Sequence, residues 1–189
     1  MSNLAYKEEE RFEILDGKIV NMSPRPAVNH NIIVVNISTI FKVFLKGKFC
    51  TAFSDGVDVH LSEKDTVIPD VMIVCNKDII KKDGIYGAPD LIVEVLSPST
   101  AKNDKGYKKN LYEKCGVKEY WIVEAETQSI DVYLLKDNKY VLDDVYSIFP
   151  DYLIEKMADE EKSKIVKEFK TSLFPELTIL LDDVFENLI

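Results

Sequence analysis

The sequence predicts a single domain of the α/β (α+β) class, and three observations carry that prediction. The stretch 88–123 sets two short apolar runs, Leu91–Leu96 and Tyr120–Val123, on either side of a lysine-rich helical segment. Runs of that length, rich in branched aliphatic residues, read as buried strands. The segment RFEILDGKIV (11–20) reads as two strands turning at Asp16-Gly17, a strong hairpin signal. Residues 29–46 are dense in Ile, Val and Phe and read as a largely buried helix, with Gly47 near its end. A length of 189 residues suits one domain with a substantial core.

Taken in order, the hairpin is followed by a loop at 22–28 with Pro24 and Pro26, then by the helix, whose first turn carries His30. Residues 49–61 alternate loosely, and Val57–Leu61 reads as a half-exposed strand with His60 on its surface. Asp70 leads into a buried strand at Val71–Cys75, and residues 76–87 form a loop. After Leu91–Leu96, Thr100 or Asn103 can cap a helix that Gly116 can end. Ile130–Leu135 pairs with Tyr140–Leu142 across Asp137-Asn138. Residues 151–170 read as a helix whose charged face is solvated, and 172–189 as a short strand and a terminal helix.

Composition narrows the function classes. No apolar run reaches the length of a membrane span, and the acidic start MSNLAYKEEE is not a signal peptide. Cys50, Cys75 and Cys115 are odd in number and set in apolar contexts, so they read as reduced core residues of a cytoplasmic protein. A net charge of −9 argues against indiscriminate nucleic-acid binding. The charge is uneven, however. Residues 101–118 hold six lysines against two acids, leaving 18 basic and 31 acidic residues elsewhere. No Gly-rich phosphate loop, HExxH, GxSxG or long-period repeat is present.

The chemistry centres on Glu94, in the middle of the apolar run. An ionised carboxylate there is costly unless it is paired or coordinated. Alternation places Ile92, Glu94 and Leu96 on one face of the strand and Leu91, Val93 and Val95 on the other. On the helix that follows, Asp104, Lys108 and Tyr112 are spaced i, i+4, i+8 and stack along one face. Asp70 and Glu94, on adjacent strands roughly 5 Å apart, could share one cation. Oxygen ligation with retained water suits Mg²⁺ or Mn²⁺, and a nearby Lys108 could polarise water or steady a phosphate. The same residues also fit a buried Glu94–Lys108 ion pair with Asp70 merely starting a strand. The residues alone leave both open.

The segments IPDVMIV, PDLIVEVLSPST and GVKEYWIV, with the spacing Asp104-x3-Lys108-x3-Tyr112, resemble the Uma-two family of restriction endonuclease-like domains. That family is a branch of the PD-(D/E)XK nuclease superfamily. FEILDGKIVNMSP with His30, and SLFPELTILLDDVF near the end, extend the resemblance over most of the chain. Residues 144–170 look like a helical insertion relative to the family pattern. The resemblance implies a central mixed β-sheet flanked by helices, with Asp70 and Glu94 as metal ligands for Mg²⁺ or Mn²⁺. The superfamily's usual lysine position, two residues after the glutamate, is Leu96 here, and its role passes to Lys108 on the following helix. Ser97, Asp104, Tyr112 and His30 match supporting positions. Glu124 stands where an aspartate is expected, and Asp90 follows a proline as Asp70 does but is the weaker candidate. Tyr112 and Trp121 read as packing residues. The implied activity is metal-dependent hydrolysis of phosphodiesters, with DNA as substrate and Lys102, Lys105, Lys109 and Lys114 guiding the backbone. The alternative is an inactive member that binds nucleic acid or protein through the same face. A homodimer is compatible with either.

Overall fold

The computed structural model describes residues 11–22 and 25–189; the acidic start of the chain and Pro24 lie outside the described residues. Strands β1 (Phe12–Leu15) and β2 (Lys18–Asn21) form the expected hairpin. Asp16 and Gly17 both have positive φ, 51° and 72°, as a two-residue turn matched to strand twist requires. Helix α1 (Val28–Phe44) follows. Then come β3 (Thr51–Ser54), β4 (Val59–Ser62), β5 (Asp65–Val67), β6 (Val71–Val74), β7 (Ile85–Tyr86) and β8 (Leu91–Val95).

The helix after β8 has three parts. They are α2 (Ala101–Asn103), a π-helical stretch (Asp104–Lys108) and α3 (Lys109–Cys115), closed by Gly116 in the left-handed region at φ 86°. The remaining elements are β9 (Glu119–Glu124), β10 (Ser129–Lys136), β11 (Lys139–Ser147), α4 (Asp151–Ile154), α5 (Asp159–Lys162), β12 (Glu168–Lys170), β13 (Thr178–Leu180) and α6 (Leu181–Val184).

The central sheet has six strands in the order β11-β10-β9-β8-β6-β3. It is mixed: β8 and β9 run parallel and every other neighbouring pair is antiparallel. Parallel neighbours need a crossover, and the 101–115 helix provides it. Central strands are buried on both sides. Val71, Ile73, Leu91, Val93, Val95, Trp121 and Val123 pack with α1 through Ile33, Ile37 and Phe41, and with Phe169, Ile179 and Val184. On the opposite face Met72, Val74, Ile92, Tyr120 and Ile122 meet Leu111 and Tyr112 of α3. That second core also takes Leu15, Val59, Val67 and Ile85 from a five-stranded sheet ordered β2-β1-β5-β4-β7. Glu94 therefore faces a space roofed by the crossover helix and the second sheet.

Four sequence expectations need correction. Cys50 and Cys75 form a disulfide, leaving Cys115 free among the described residues. The Thr51–Val74 pairing brings the next two residues face to face, with Cα atoms 4.0 Å apart, a proximity that apolar context does not reveal. Residues 151–170 are not one helix. Two single turns precede strand β12, because Phe169 is drawn into the core against Trp121 and Tyr146. A helix there would bury no continuous face, and tertiary burial sustains most short helices. The expected helical insertion at 144–170 accordingly begins as the end of β11 and ends as β12. Residues 49–61 divide between two sheets, and His60 is half-buried, stacked on Tyr86 with Nδ1 3.0 Å from Thr66 Oγ1. No helix among the described residues is long and apolar enough to cross a membrane.

Candidate active site

Register places the two principal carboxylates. Val71 pairs with Val93 in the antiparallel β6–β8 ladder, so Asp70 lies one position beyond, across from Glu94. Asp70 Oδ2 accepts a 2.7 Å hydrogen bond from the Val95 amide, and Oδ1 lies 3.2 Å from His30 Nε2. His30 enters from the first turn of α1, and its Nδ1 is buried with no hydrogen-bond partner among the described residues. Glu94 is only 3% exposed. Its Oε1 accepts from Lys108 Nζ at 2.9 Å and from the Tyr112 hydroxyl at 2.6 Å.

Lys108 reaches Glu94 from the π-helical stretch. Such stretches are uncommon and recur at functional sites because they reset the helix face. The Tyr120 hydroxyl donates to the Asp104 carbonyl at 3.1 Å, tying this stretch to β9. The ammonium also lies 2.8 Å from Glu13 Oε1 and 3.4 Å from Asp104 Oδ1. Asp104 Oδ1, though near the ammonium, makes no hydrogen bond among the described residues. One buried ammonium thus faces three buried carboxylates, from β1, β8 and the helix.

Electrostatics follow from this crowding. Burial raises the Glu94 pKa well above the usual carboxylate range; Lys108 opposes the shift, while Asp104, Asp70 and Glu13 add to it. Asp104 is raised by burial against the pull of Lys108 and a hydrogen bond from Thr100. For Lys108, burial acts to lower the pKa, but Glu94, Glu13 and Asp104 outweigh it and the ammonium is held charged. Burial likewise disfavours a charged His30, and Asp70 reverses that, so its pKa is raised. Tyr112 is kept protonated by burial and by Glu94.

A cleft of about 280 Å³ opens onto this cluster, lined by Arg11, Arg25, His30, Asp70, Glu94 and Lys108, with Ser97, Thr100 and Asp104 at its edge. An adjoining cavity of about 380 Å³ shares His30, Ser97 and Pro98 and extends to Glu124 and Glu126. Ser97 Oγ lies 3.0 Å from both Ser99 Oγ and Thr100 Oγ1, fixing the turn that leads into the helix. The structure therefore brings together Asp70, Glu94, Lys108, His30, Asp104, Tyr112 and Ser97.

It does not bring the four other lysines to the cleft. Lys109 Nζ sits 3.7 Å above the Tyr133 ring, Lys105 and Lys109 act on Asp131, Lys114 acts on Asp65, and Lys102 is exposed. The cationic side chains at the cleft mouth are Arg11 and Arg25 instead. Arg11 is joined to Asp55, with Nη1 3.0 Å from Oδ2 and Nη2 bonded to Oδ1. Asp90 is occupied elsewhere, accepting from the Cys75 amide and from Lys118 Nζ, each at 2.7 Å. Trp121 is fully buried and donates to Glu119.

Glu13 is the residue that sequence reasoning missed. Its signal was present: alternation puts Glu13 and Leu15 on one face of β1, and Leu15 is apolar and inward. A charged residue on the buried face of a hairpin strand marks a buried polar contact.

The donor set fits a divalent cation. Asp70, Glu94 and Asp104 offer oxygen only, and Asp104 Oδ1 is buried without a hydrogen bond among the described residues. Among the described residues no three His, Cys, Asp or Glu side chains form a ready cage. Mg²⁺ accepts that arrangement, because it keeps several waters and takes one or two carboxylates.

Comparison with known proteins bears on the fold and the family. A crystal structure described as a putative nuclease belonging to DUF820, from Anabaena variabilis ATCC 29413, superposes with a TM-score of 0.68 at 19% identity, over 92% of this chain and 89% of that one. The fold is restriction endonuclease-like, as the sequence led one to expect. Two proteins of Synechocystis sp. (strain ATCC 27184 / PCC 6803 / Kazusa) are similar in sequence. Uncharacterized protein slr1290 is 31% identical over 134 residues, 70% of each chain. Uncharacterized protein sll1609 is 25% identical over 128 residues, 66% of this chain and 72% of that one. Residues 2–156 match the Uma2 family, described as "Putative restriction endonuclease", and with a match of that extent the chain belongs to the Uma2 family.

Proposed function

We propose that this protein is a metal-dependent nuclease that hydrolyses phosphodiester bonds, with DNA as its substrate. The observation that carries the reading is the meeting of Glu94 with Lys108 at 2.9 Å, beside Asp70, on the floor of an open cleft. The position two residues after Glu94 is Leu96, so the helix supplies the ammonium that the strand lacks.

Asp70 and Glu94 would hold Mg²⁺ or Mn²⁺, which when bound supplies Lewis-acid polarisation of the phosphoryl group and of water. The remaining work falls to the chain. The Val95 amide and His30 fix both oxygens of Asp70, and Tyr112 fixes Glu94, so the carboxylates are set before substrate arrives. Lys108 keeps its proton and steadies the negative charge that grows on the phosphate as water attacks phosphorus and a backbone P–O bond breaks. Arg11, oriented by Asp55 at the cleft mouth, meets the approaching backbone.

A second reading has its own observation. Lys108 is 3% exposed and paired to three carboxylates, the environment of a structural ion cluster in a member that binds nucleic acid or protein without cutting. One experiment separates the two. Mg²⁺ and Mn²⁺ are titrated against wild type and Glu94→Ala while thermal melting is followed, and plasmid DNA is then incubated with each. Nuclease function predicts a metal-dependent rise in Tm and DNA cutting in the wild type alone. Equal shifts in both proteins, without cutting, favour the second reading.

A further inference from the structure

The five-stranded sheet contributes one side chain to the cluster, and its contacts go beyond burial. Glu13, 4% exposed, uses a single oxygen for two partners. Oε1 lies 2.8 Å from Lys108 Nζ and accepts from the Ile68 amide at 2.9 Å. Lys108 belongs to the crossover helix, whereas Ile68 precedes Asp70 by two residues with Pro69 between them. Proline fixes φ, so the direction taken by the chain at Ile68 is passed on to Asp70 with little slack. The rotation of one carboxylate thus governs both the ammonium and the start of β6.

The charge pattern supports a positioning task. Of the three carboxylates on Lys108, Glu13 and Glu94 both lie within hydrogen-bonding distance, at 2.8 Å and 2.9 Å, while Asp104 stands at 3.4 Å. Without Glu13 the ammonium would be drawn toward Glu94 and Asp104, the side on which the helix already places it. With Glu13 it is held between two sheets. The chain just before β1 adds a link to the cleft mouth, because Arg11, two residues before Glu13, lines the cleft.

We infer that Glu13 is a positioning residue that sets the Lys108 ammonium relative to Asp70 and Glu94. The inference rests on the nuclease reading above for its catalytic consequence, but the placement itself is independent of it. It acts through Lys108 and the Ile68–Asp70 segment and does not itself touch substrate.

The experiment compares Glu13→Gln, Glu13→Asp and Glu119→Gln with wild type in metal-dependent DNA cleavage, each at a temperature where it is fully folded. Glu119 is the control, a buried carboxylate remote from the cleft that binds Trp121 and Ser172. Glu13→Gln retains an acceptor for Ile68 but removes the negative charge that Glu13 sets against Lys108. Its kcat should fall about a hundredfold, the scale of a small misplacement of a reacting group, with KM little changed. A fall no larger than that of Glu119→Gln overturns the inference. Should Glu13→Gln not fold, Glu13→Asp decides, since it keeps the charge and withdraws it by one methylene: a kcat equal to wild type overturns the inference and a selective loss of kcat supports it. Lysine-¹⁵N labelling gives a readout that does not need cleavage. A protected ammonium signal that vanishes in Lys108→Met assigns Lys108. Its loss in Glu13→Gln and persistence in Glu119→Gln support the placement, and an unchanged signal in Glu13→Gln overturns it. If the wild type cuts nothing, the nuclease reading fails, and this spectrum alone judges what Glu13 does.

Discussion

Replacing Lys108 by Met removes the one ammonium from among Glu13, Glu94 and Asp104, which are 4%, 3% and 1% exposed. Breaking a buried ion pair from one side costs roughly 3–5 kcal/mol, and here three carboxylates lose the same partner. Protonation limits the damage. Neutralising a carboxyl of ordinary pKa about 4.3 at pH 7 costs ~3.7 kcal/mol, from ~1.4 kcal/mol per unit. Glu94, whose pKa is already raised by burial, is the first to be neutralised and costs least. A loss of about 4–5 kcal/mol at pH 7 is therefore expected, a large part of an ordinary domain's stability. The sign of its pH dependence follows. The folded variant binds protons that the unfolded chain releases, so the loss is recovered as pH falls toward the unfolded carboxyl pKa and grows as pH rises. Between pH 7 and pH 5 each newly protonated carboxyl should return up to ~2.7 kcal/mol. Glu94→Gln combined with Lys108→Met should restore only part of the loss, because Glu13 and Asp104 stay unpartnered. The assay is urea unfolding at both pH values with chelator present, alongside DNA cleavage by the folded fraction. A loss below about 1 kcal/mol at pH 7, with the pH dependence of the wild type, would refute the picture of Lys108 as the hub of a buried cluster.

Three further outcomes are expected. Arg11→Ala should weaken binding to DNA and reduce the slope of log affinity against log salt by about 1, whereas Lys105→Ala and Lys109→Ala should change it less, since Arg11 lines the cleft and those two lysines do not; fluorescence anisotropy over a salt series measures this. Reduction of Cys50–Cys75, 25 residues apart, should lower stability by about 3 kcal/mol, read by urea melts with and without reductant, and thiol labelling of the unreduced protein should modify Cys115 alone among the three. Burial acts to raise the Asp65 pKa, but the Asp16 amide, Ser62 and Tyr107 hydrogen bonds outweigh it and hold it lowered. Its contribution is therefore present above the ordinary carboxylate pKa of about 4 and lost as pH falls through the lower folded value, so Asp65→Asn should destabilise at neutral pH and flatten the acid limb of an unfolding profile.

Local rules made much of the chain legible. Two-residue turns at Asp16-Gly17 and Asp137-Asn138 have the positive φ values that hairpins demand, and those residue types tolerate them at low cost. The period-two pattern around Glu94 assigned both faces of β8 correctly, because a strand buried on two sides has no other way to present one charge. The i, i+4, i+8 spacing of Asp104, Lys108 and Tyr112 predicted a shared face, and all three are buried at the cluster. Each of these features depends on residues close in sequence.

The rest depended on distance. Cys50 and Cys75 are joined because β3 and β6 are neighbours in the central sheet, a pairing that no local pattern encodes. Phe169 belongs to a strand because the core beside Trp121 and Tyr146 had room for it, overriding a helical pattern with no face to bury. The surface lysines are basic in sequence but lie along helix faces turned to Tyr133, Asp131 and Asp65, while Arg11 arrives at the cleft from another sheet. Glu13 is the clearest case. The sequence by itself determined that Glu94 would be buried and that a helix carrying Lys108 would follow it. Only the packing of one sheet over another decided that a carboxylate 95 positions before Lys108 would hold its ammonium, since electrostatic contact depends on separation in space and the chain's long connections leave that separation unspecified.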